Sequence, residues 1–571
     1  MFIRCVSRLC VLAVLMVATS GILLAQQDNW LGGAGGWSYG YNWSLGSPPV
    51  AGDIVSIDSG SFDSVTLDTS PPMINSLTLG TKCCYSYLTD NGAIRTLNVT
   101  SNLHVGQYGH MYLYGTTVTA GSLTNDSQVY ISNNASLQLG SLTNNSFFLL
   151  NSGTSATLNS QPGGGISDVA LGADYEIFGT FKAGAVSAFN NLNSVEGTLV
   201  LFNGQSTVAT PGNGPLAVSS SGIVAVESLQ VVGDVSNSGI FATSYYGGGN
   251  GALTANNTLT NNVGGTFGPY GNLDVASVGA LNNSGTVHVG TGATLNLTNQ
   301  PAGITDVVAG SSFDLAGTFN AGANNGFYQL ANVDGTLILE NGQTTTTTPS
   351  SGTFTVGSAG YVEVKSGTTF NIIGSVIANG ILSFNDPLVT TVNITGMLTN
   401  LGGQVNVVGP TAFLNVGGIG NGGMLTLPEG STVSVANGFY QLANGTLGET
   451  IGANGFAIIS VNGGLVMLDG TLDVLLDPGY NPAVGSTYEF LLFSPGALSG
   501  TFASIQNGIF NGGTEKWVVV YNDAGGYVEL VAASAAPEPG TFLLLGSGLL
   551  GLAYSGRRRW RRQAVQPAHK M

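Results

Sequence analysis

The chain has 571 residues, of which 87 are glycine, and its formal net charge is -17 although only 8 % of its residues are charged. So few charges exclude a long solvated helical bundle or coiled coil, and a hydrophobic content of 43 % is too high for a disordered chain. The length predicts several domains or one repeated architecture, and the glycine content predicts many tight turns. The acidity argues against nucleic acid as a partner.

The N-terminal segment 1–25 has the pattern of a secretory signal peptide. Arg4 and Arg8 precede an apolar run over 11–24, which is the expected order of a charged region and a hydrophobic region. We predict cleavage after Ala25, with Ser20 as the second candidate, and export of the chain that follows. An uncleaved anchor helix is the alternative.

The signal segment is followed by a long body with very few positive charges. Residues 26–536 contain five Lys or Arg against 29 Asp or Glu, so this body carries a net charge of -24. Such a chain repels its own copies and stays soluble at low salt. We predict no cofactor, with Ca²⁺ as the alternative, and assign no metal ligands, because neither a Gly-Gly-x-Gly-x-Asp repeat nor an EF-hand loop is present.

The body contains one adjacent pair of cysteines, Cys83 and Cys84. One such pair cannot build a disulfide framework. A vicinal disulfide and a bond between two molecules are both open, and so is a pair without functional importance.

Internal repeats determine the expected fold. The sequence Gly197-Thr198-Leu199 recurs 138 residues later as Gly335-Thr336-Leu337. The hexapeptide over 327–332 returns unchanged at 439–444, an offset of 112. We therefore expect a duplication of about 138 residues, followed by a shortened third copy.

A finer period runs inside these copies. The pentapeptide over 121–125 recurs 19 residues later at 140–144, and 281–297 alternates apolar and polar residues on either side of a glycine turn. Strands this short bury a core only when coils stack about 4.8 Å apart. We predict an all-β chain with a right-handed parallel β-helix over 100–449, in which turn asparagines form ladders between coils. A series of antiparallel sandwiches is the alternative.

Both ends of the β-helix need covering. We predict an N-terminal β cap over 26–99, containing Trp30, Trp37 and Trp43, with a sugar-stacking platform as the alternative role of these rings. The region 450–533 reads as short antiparallel strands that close the last coil. The N-terminal opening and the sequence over 283–290 are similar to the β-helical passenger domains of autotransporter adhesins, which implies an adhesive surface protein.

The C-terminal segment 534–571 contains three features in a fixed order. An apolar run over 541–554 is at the lower length limit of a membrane helix, and arginines after it indicate an outside-to-inside orientation. We therefore predict a membrane helix here. The flanking residues are Pro537, Glu538 and Pro539 before the run, and Arg557, Arg558 and Arg559 after it.

Together these features resemble the PEP-CTERM sorting signal of Gram-negative bacteria, also known as the ice-binding protein C-terminal motif. The resemblance implies an exosortase-type enzyme that removes the tail. The protein would be anchored transiently in the inner membrane and then released to the cell surface or an extracellular polysaccharide matrix. An ordinary C-terminal anchor is the alternative.

We assign no catalytic residues. A polysaccharide lyase needs a base and a cation, and the few basic residues of the body are scattered. The sequence Gly109-His110-Met111 has no neighbouring Asp cluster, and Asp469, Asp473 and Asp477 lie in a context of turns and strands. We predict a non-enzymatic structural or adhesive protein that contacts polysaccharide. A polysaccharide-active β-helix enzyme, either a lyase or a glycoside hydrolase, is the alternative.

Overall fold

The computed structural model describes residues 25–202, 204, 206–247, 250–385, 388–408, 411–535, 547, 549–552 and 554. The chain divides into two compact units, Met1–Asn371 and Ile372–Met571. Each unit is built from short strands stacked in parallel, so the predicted parallel β-helix is confirmed. Within the described ranges the 3-10 helices are single turns, Gly40–Asn42, Pro162–Gly164 and Asn511–Gly513.

The coils of the first unit share one long parallel sheet, which we call sheet 1. Its strands are Gly33–Gly36, Asp63–Leu67, Ser86–Asp90, Gly109–Leu113, Gln128–Ile131, Phe147–Leu150, Asp174–Ile177, Thr198–Leu201, Ile223–Val226, Ile240–Thr243, Thr266–Pro269, Thr286–Val289, Ser312–Leu315, Thr336–Leu339 and Tyr361–Lys365.

The remaining strands of this unit complete each coil. A second sheet contains Gln27–Asn29, Ile54–Ile57, Ser76–Leu79, Arg95–Val105, Thr116–Asn125, Ser136–Asn144, Ser155–Leu158, Thr180–Ala183 and Val186–Ser187. A third contains Asp168–Val169, Ser194–Val195, Thr207–Ala209, Leu216–Val218, Ser228–Val231, Val235–Asn237, Ala252–Asn261, Val275–Asn283, Thr294–Leu297, Thr318–Ala321 and Asn324–Asn325. The last strands are Asp306–Val307, Asn332–Val333, Thr344–Thr347, Thr353–Val356 and Thr369–Ile372, which contains the unit boundary.

The bends between strands explain why glycine recurs in the 19-residue repeat. Strand Thr116–Asn125 turns a corner at Gly121, where an added Cβ would lie 2.7 Å from the carbonyl oxygens of Thr100 and Ser101 in the coil before. Gly140 occupies the same corner one coil later, and a Cβ there would collide with the carbonyl oxygen of Gly121. A side chain therefore cannot be accommodated where stacked corners come this close.

Duplicated sequence produces duplicated strands. Asp174–Ile177 and Ser312–Leu315 lie 138 residues apart in sheet 1, as do Thr198–Leu201 and Thr336–Leu339. Alternate residues of these strands point inward and are buried. Each coil thus adds one layer to a continuous apolar core.

Asparagine ladders connect the corners of neighbouring coils, as predicted. The Nδ2 of Asn237 donates to Oδ1 of Asn261 at 2.8 Å, and the Nδ2 of Asn261 donates to Oδ1 of Asn283 at 2.7 Å. Nδ2 of Asn261 also donates to the carbonyl oxygen of Thr286 at 2.9 Å. Each ladder amide therefore satisfies buried polar groups on the next coil.

Replacing Asn261 with Ala should destabilise the first unit by about 2 to 4 kcal/mol, because several buried hydrogen bonds are lost together and their partners stay unpaired. The urea midpoint measures this loss. Asn282→Ala is the matched control, since the Asn282 side chain is exposed near the same corner. Equal midpoints for the two variants would contradict a stabilising ladder.

Three tryptophans pack together in the first coils. Trp43 contacts Trp30 and Trp37 edge-on, with ring centroids 5.0 and 4.9 Å apart, and each ring is only 1 % exposed. The sugar-stacking alternative is therefore wrong for these rings, because all three are buried and a sugar cannot reach them. Strands of the predicted cap region 26–99 pair in parallel with strands of the following coils.

The second unit has its own stacked strands. They are Ser375–Ala378, Ile381–Asn385, Thr390–Asn400, Gln404–Val408, Ala412–Asn421, Met424–Leu427, Thr432–Val435, Gly438–Gln441, Thr446–Gly452, Gly455–Phe456, Ile458–Val461, Leu465–Leu468, Thr471–Leu476, Thr487–Leu492, Leu498–Gly500, Ser504–Gln506, Ile509–Phe510, Glu515–Asn522 and Tyr527–Ser534.

Antiparallel pairing is concentrated at the C-terminal end of this unit, as predicted. Glu515–Asn522 pairs antiparallel with Tyr527–Ser534, which in turn pairs antiparallel with Thr487–Leu492. Parallel stacking nevertheless continues as far as Ser504–Gln506, which pairs with Thr471–Leu476. The antiparallel part is therefore smaller than the predicted region 450–533.

More than half of the predicted membrane helix over 541–554 lies outside the described residues. Ser547, residues 549–552 and Tyr554 are helical. In the part of the chain that the structure describes, no helix has both the length and the apolar character needed to cross a membrane.

Candidate functional site

Aromatic side chains gather on the outward face of sheet 1 in the early coils of the first unit. They project from strands Ser86–Asp90, Gly109–Leu113 and Gln128–Ile131 and from the turns beside them. We call this group the aromatic patch; its members are Phe62, Tyr85, Tyr87, Tyr108, His110, Tyr112, Tyr114 and Tyr130.

Strand register brings these rings together. Tyr87 lies opposite His110, and the two rings stack with centroids 4.8 Å apart and planes 14° apart. Tyr112 lies opposite Tyr130 in the next pair, with ring centroids 6.0 Å apart. Tyr85 packs against His110 at 5.1 Å. The rings thus form a continuous row along the stacking direction of the coils.

His110 is the most buried member of the patch, at 7 % exposure. Its Nδ1–H donates to Oε1 of Gln128 at 3.0 Å, and the hydroxyl of Tyr112 donates to the same oxygen at 2.7 Å. Burial lowers the pKa of His110, so the imidazole is neutral at pH 7. Its buried Nε2 has no hydrogen-bond partner among the described residues.

The second sheet of the same coils is different in character. Its outward positions include Thr117, Thr119, Ser136 and Gln138, which are small or polar. Because the coils are shared, the core beneath both faces is the same kind of apolar stack. The rings on sheet 1 are therefore not a general requirement of the fold.

Two carboxyl groups follow the patch on the same face. Asp174 and Glu176 occupy successive outward positions of strand Asp174–Ile177. Burial, and then the nearby charge of Glu176, raise the pKa of Asp174 to about 6. Burial also raises the pKa of Glu176. Burial, and then the charges of Tyr245, Asp174 and Glu176, raise the pKa of Tyr246, so this phenol lies near the pair. Such a carboxyl group is protonated in part near neutral pH, as a general acid must be.

The duplicated coil does not reproduce this pair. Ser312 and Asp314 occupy the two equivalent outward positions, and Oδ2 of Asp314 lies 3.1 Å from Nδ1 of His288. The hydrogen bond with His288 lowers the pKa of Asp314, and the Tyr270 ring packs 4.5 Å from His288. The pair of carboxyl groups with raised pKa values is therefore present in the first copy and absent from the second.

The structure does not gather the other predicted residues into one site. Cys83 and Cys84 are both exposed free thiols, next to Tyr85 of the patch, and their vicinal disulfide stays a prediction. Ala25 is exposed at the edge of the described chain. Sorting residues Pro537, Glu538, Pro539, Arg557, Arg558 and Arg559 lie outside the described residues.

The acidic residues named from the sequence serve local turns and strands. Asp469 accepts a hydrogen bond from the backbone of Gly470 at 2.8 Å, and Asp473 accepts one from Asn507 at 2.7 Å. Over the described ranges, no three His, Cys, Asp or Glu side chains are placed to hold a metal ion.

Sequence reasoning missed the aromatic patch although the sequence carries its signal. Aromatic residues alternate with others at 85 and 87, and again at 108, 110, 112 and 114. In a strand, alternate residues share one face, so this period of two places the rings together. The alternation was hidden among many similar strands, and the stacking of successive coils was needed to join the two runs.

Comparisons with known proteins give a sequence match at the C-terminus and a likeness to solved structures. Residues 535–559 match the PEP-CTERM protein-sorting motif, which confirms the resemblance of the C-terminal segment. The crystal structure of the Haemophilus influenzae Hap adhesin shares 11 % identity at a TM-score of 0.28. That likeness covers 84 % of this chain and 64 % of the adhesin, less than two thirds of its length. No curated protein matches the sequence.

The chain thus carries the sorting motif of exported surface proteins on a parallel β-solenoid.

Proposed function

We propose that this protein is a non-enzymatic structural or adhesive component of the cell surface or of an extracellular polysaccharide matrix. The observation that carries the proposal is the sorting motif at 535–559. In this proposal an exosortase-type enzyme recognises the motif while the tail is held in the inner membrane, and then releases the protein.

The solenoid supports a structural role for physical reasons. Neighbouring coils are joined by strand pairing, and at some corners by asparagine ladders as well, so a force applied along the stack is spread over many hydrogen bonds. A repeated outward surface also allows many weak contacts with a polymer, whose combined strength exceeds that of any one.

The sorting step is tested with Glu538→Ala in the full chain, expressed in a bacterium that has an exosortase. The wild type should reach the surface or the medium in a shortened form, whereas Glu538→Ala should stay full-length in the membrane fraction. Glu489→Ala, at an exposed residue of the second unit, is the matched control. Unchanged release of the Glu538→Ala protein would contradict the sorting role.

Divalent cations, Ca²⁺ first, are the small partners we propose for the anionic body. They would bridge its carboxylates to acidic polymers that it otherwise repels. Cosedimentation with alginate measures this bridging, and it should require Ca²⁺ and disappear when the cation is chelated.

A polysaccharide-active enzyme is the second candidate, and Asp174 with Glu176 is the observation that favours it. Glycoside hydrolases use two carboxyl groups, one of them with a raised pKa. Neutral and acidic glycans should be incubated with the wild type, with Asp174→Asn, and with the control Asp168→Asn. Chain shortening by the wild type and the control, but not by Asp174→Asn, would establish the enzyme. Intact glycans with all three support the non-enzymatic proposal.

A further inference from the structure

We infer that the aromatic patch is a binding site for an uncharged polysaccharide chain. The inference deepens the proposed function, on which it rests for the location of the protein at the surface. It assigns the contact with polysaccharide to one face of the early coils rather than to the whole solenoid.

The patch has the length and direction of a polymer site. Its rings lie in or directly beside four consecutive strands of sheet 1, from Phe62 ahead of Asp63–Leu67 to Tyr130 in Gln128–Ile131. Strands stacked about 4.8 Å apart extend the row over about 14 Å, which is enough for several sugar units. A linear chain lying along the stack would meet a new ring at every coil.

The chemistry of the rings suits sugars. Pyranose rings present C–H groups on their faces and hydroxyl groups at their edges, so they stack on aromatic faces while their edges form hydrogen bonds. Five members of the patch are half-buried tyrosines, and Phe62 and Tyr85 are exposed, with 54 % exposure for Tyr85. Each of the six tyrosines supplies both an apolar ring and a hydroxyl group.

Charge selects a neutral polymer. None of the eight side chains carries a charge at pH 7, since His110 is neutral. The body around them has a net charge of -24, which repels anionic polymers. A cationic polymer would meet no carboxylate among the patch residues. An uncharged polysaccharide therefore matches the uncharged patch and is not repelled by the body.

His110 provides a second and independent observation. Its Nε2 is a buried acceptor without a described partner, and leaving such an atom unpaired is costly. The exposed ring of Tyr85 covers His110 from one side. A rotation of Tyr85 would open Nε2 to a hydroxyl group of a sugar that lies over the outward edges of the Tyr87 and His110 rings. Packing alone gives no reason to keep an unpaired acceptor among these rings.

The test is affinity electrophoresis of the full-length protein in gels containing hydroxyethylcellulose, galactomannan or alginate. At least one of the two neutral polymers should retard the wild type, and alginate without added Ca²⁺ should not. Tyr85→Ala and Tyr87→Ala should each weaken binding and raise the dissociation constant about threefold to tenfold. Tyr85→Phe keeps the ring and should retain most of the binding.

Thr119→Ala and Gln138→Ala are the matched controls, because both side chains are exposed on the second sheet of the same coils. They should bind as the wild type does. The inference is overturned if neither neutral polymer retards the protein, or if Tyr85→Ala and Tyr87→Ala bind normally. It is also overturned if the patch instead joins two copies of the protein. In that case sedimentation would show a dimer for the wild type and a monomer for Tyr85→Ala.

Thermal melting distinguishes a loss of binding from a loss of folding. Tyr85→Ala should have the same melting temperature as the wild type. Cell fractionation separates the inference from the proposed function. If the wild type is released normally but does not bind a neutral polymer, only the assigned binding site is rejected. The Glu538→Ala experiment tests the sorting role separately.

Discussion

Glu449→Gln should stabilise the second unit at pH 8 by about 1 to 3 kcal/mol and remove much of its pH dependence. Glu449 points into the core from strand Thr446–Gly452, level with Leu427 and Val474 on the neighbouring coils. Its side chain is fully buried. Oε1 accepts a hydrogen bond from the backbone of Ala457 at 2.8 Å, and Oε2 has no partner among the described residues.

The direction of the pH effect follows from the pKa. Burial raises the pKa of Glu449 well above its ordinary value of 4.5, against a smaller lowering by the Ala457 hydrogen bond. The stabilising contribution is complete below the unfolded-state pKa and is lost as the pH rises through the folded-state pKa. Each pH unit in that window costs about 1.4 kcal/mol. The wild-type unit should therefore be more stable at pH 5 than at pH 8.

Hydrogen exchange of strands Met424–Leu427, Thr446–Gly452 and Thr471–Leu476 measures the local opening free energy at the two pH values. Glu489→Gln serves as the control, because this glutamate is exposed in the same unit and its replacement should change stability by only a few tenths of a kcal/mol. If the wild type and Glu449→Gln respond equally to pH, another group is responsible.

Trp43→Ala should open the first coils, at a cost of about 3 to 5 kcal/mol. Trp43 is in contact with both Trp30 and Trp37, and its Nε1–H donates to the carbonyl oxygen of Trp37 at 2.8 Å. Its removal leaves a large cavity among rings that cover one another. In a stacked solenoid each coil is held mainly by its neighbours, so the loss should be greatest near the site.

Limited proteolysis and hydrogen exchange over 27–57 measure this opening. The matched variant is Tyr41→Ala, which removes a ring that is 76 % exposed in the same segment. Tyr41→Ala should keep the protection of the wild type. Equal protection of the segment in Trp43→Ala would mean that the tryptophans do not hold the first coils together.

The sequence predicted the stacking because repetition is visible without coordinates. Leu259-Thr260-Asn261 and Leu398-Thr399-Asn400 recur in sequence, and both asparagines lie in ladders between coils. A strand with alternating burial can be recognised by its period of two. When several short sequence segments recur at the same offset, they must occupy equivalent positions in successive copies.

Surface properties were harder to predict, since they depend on which coils become neighbours. Tyr87 and His110 are far apart in sequence and meet only through strand register. The tryptophans were read as either buried or sugar-binding, because composition does not fix which rings cover one another. The inward position of Glu449 follows from its strand, yet a carboxyl group in a core contradicts the usual pattern of burial.

The glycine corners at Gly121 and Gly140 have an evolutionary consequence. A coil that ends in such a corner offers the next coil the same backbone surface that it received, so an extra coil fits the stack without redesign of its neighbours. The duplicated stretch lies C-terminal to the aromatic patch, whose last member is Tyr130. The duplication therefore adds coils to the solenoid without adding a second copy of the patch.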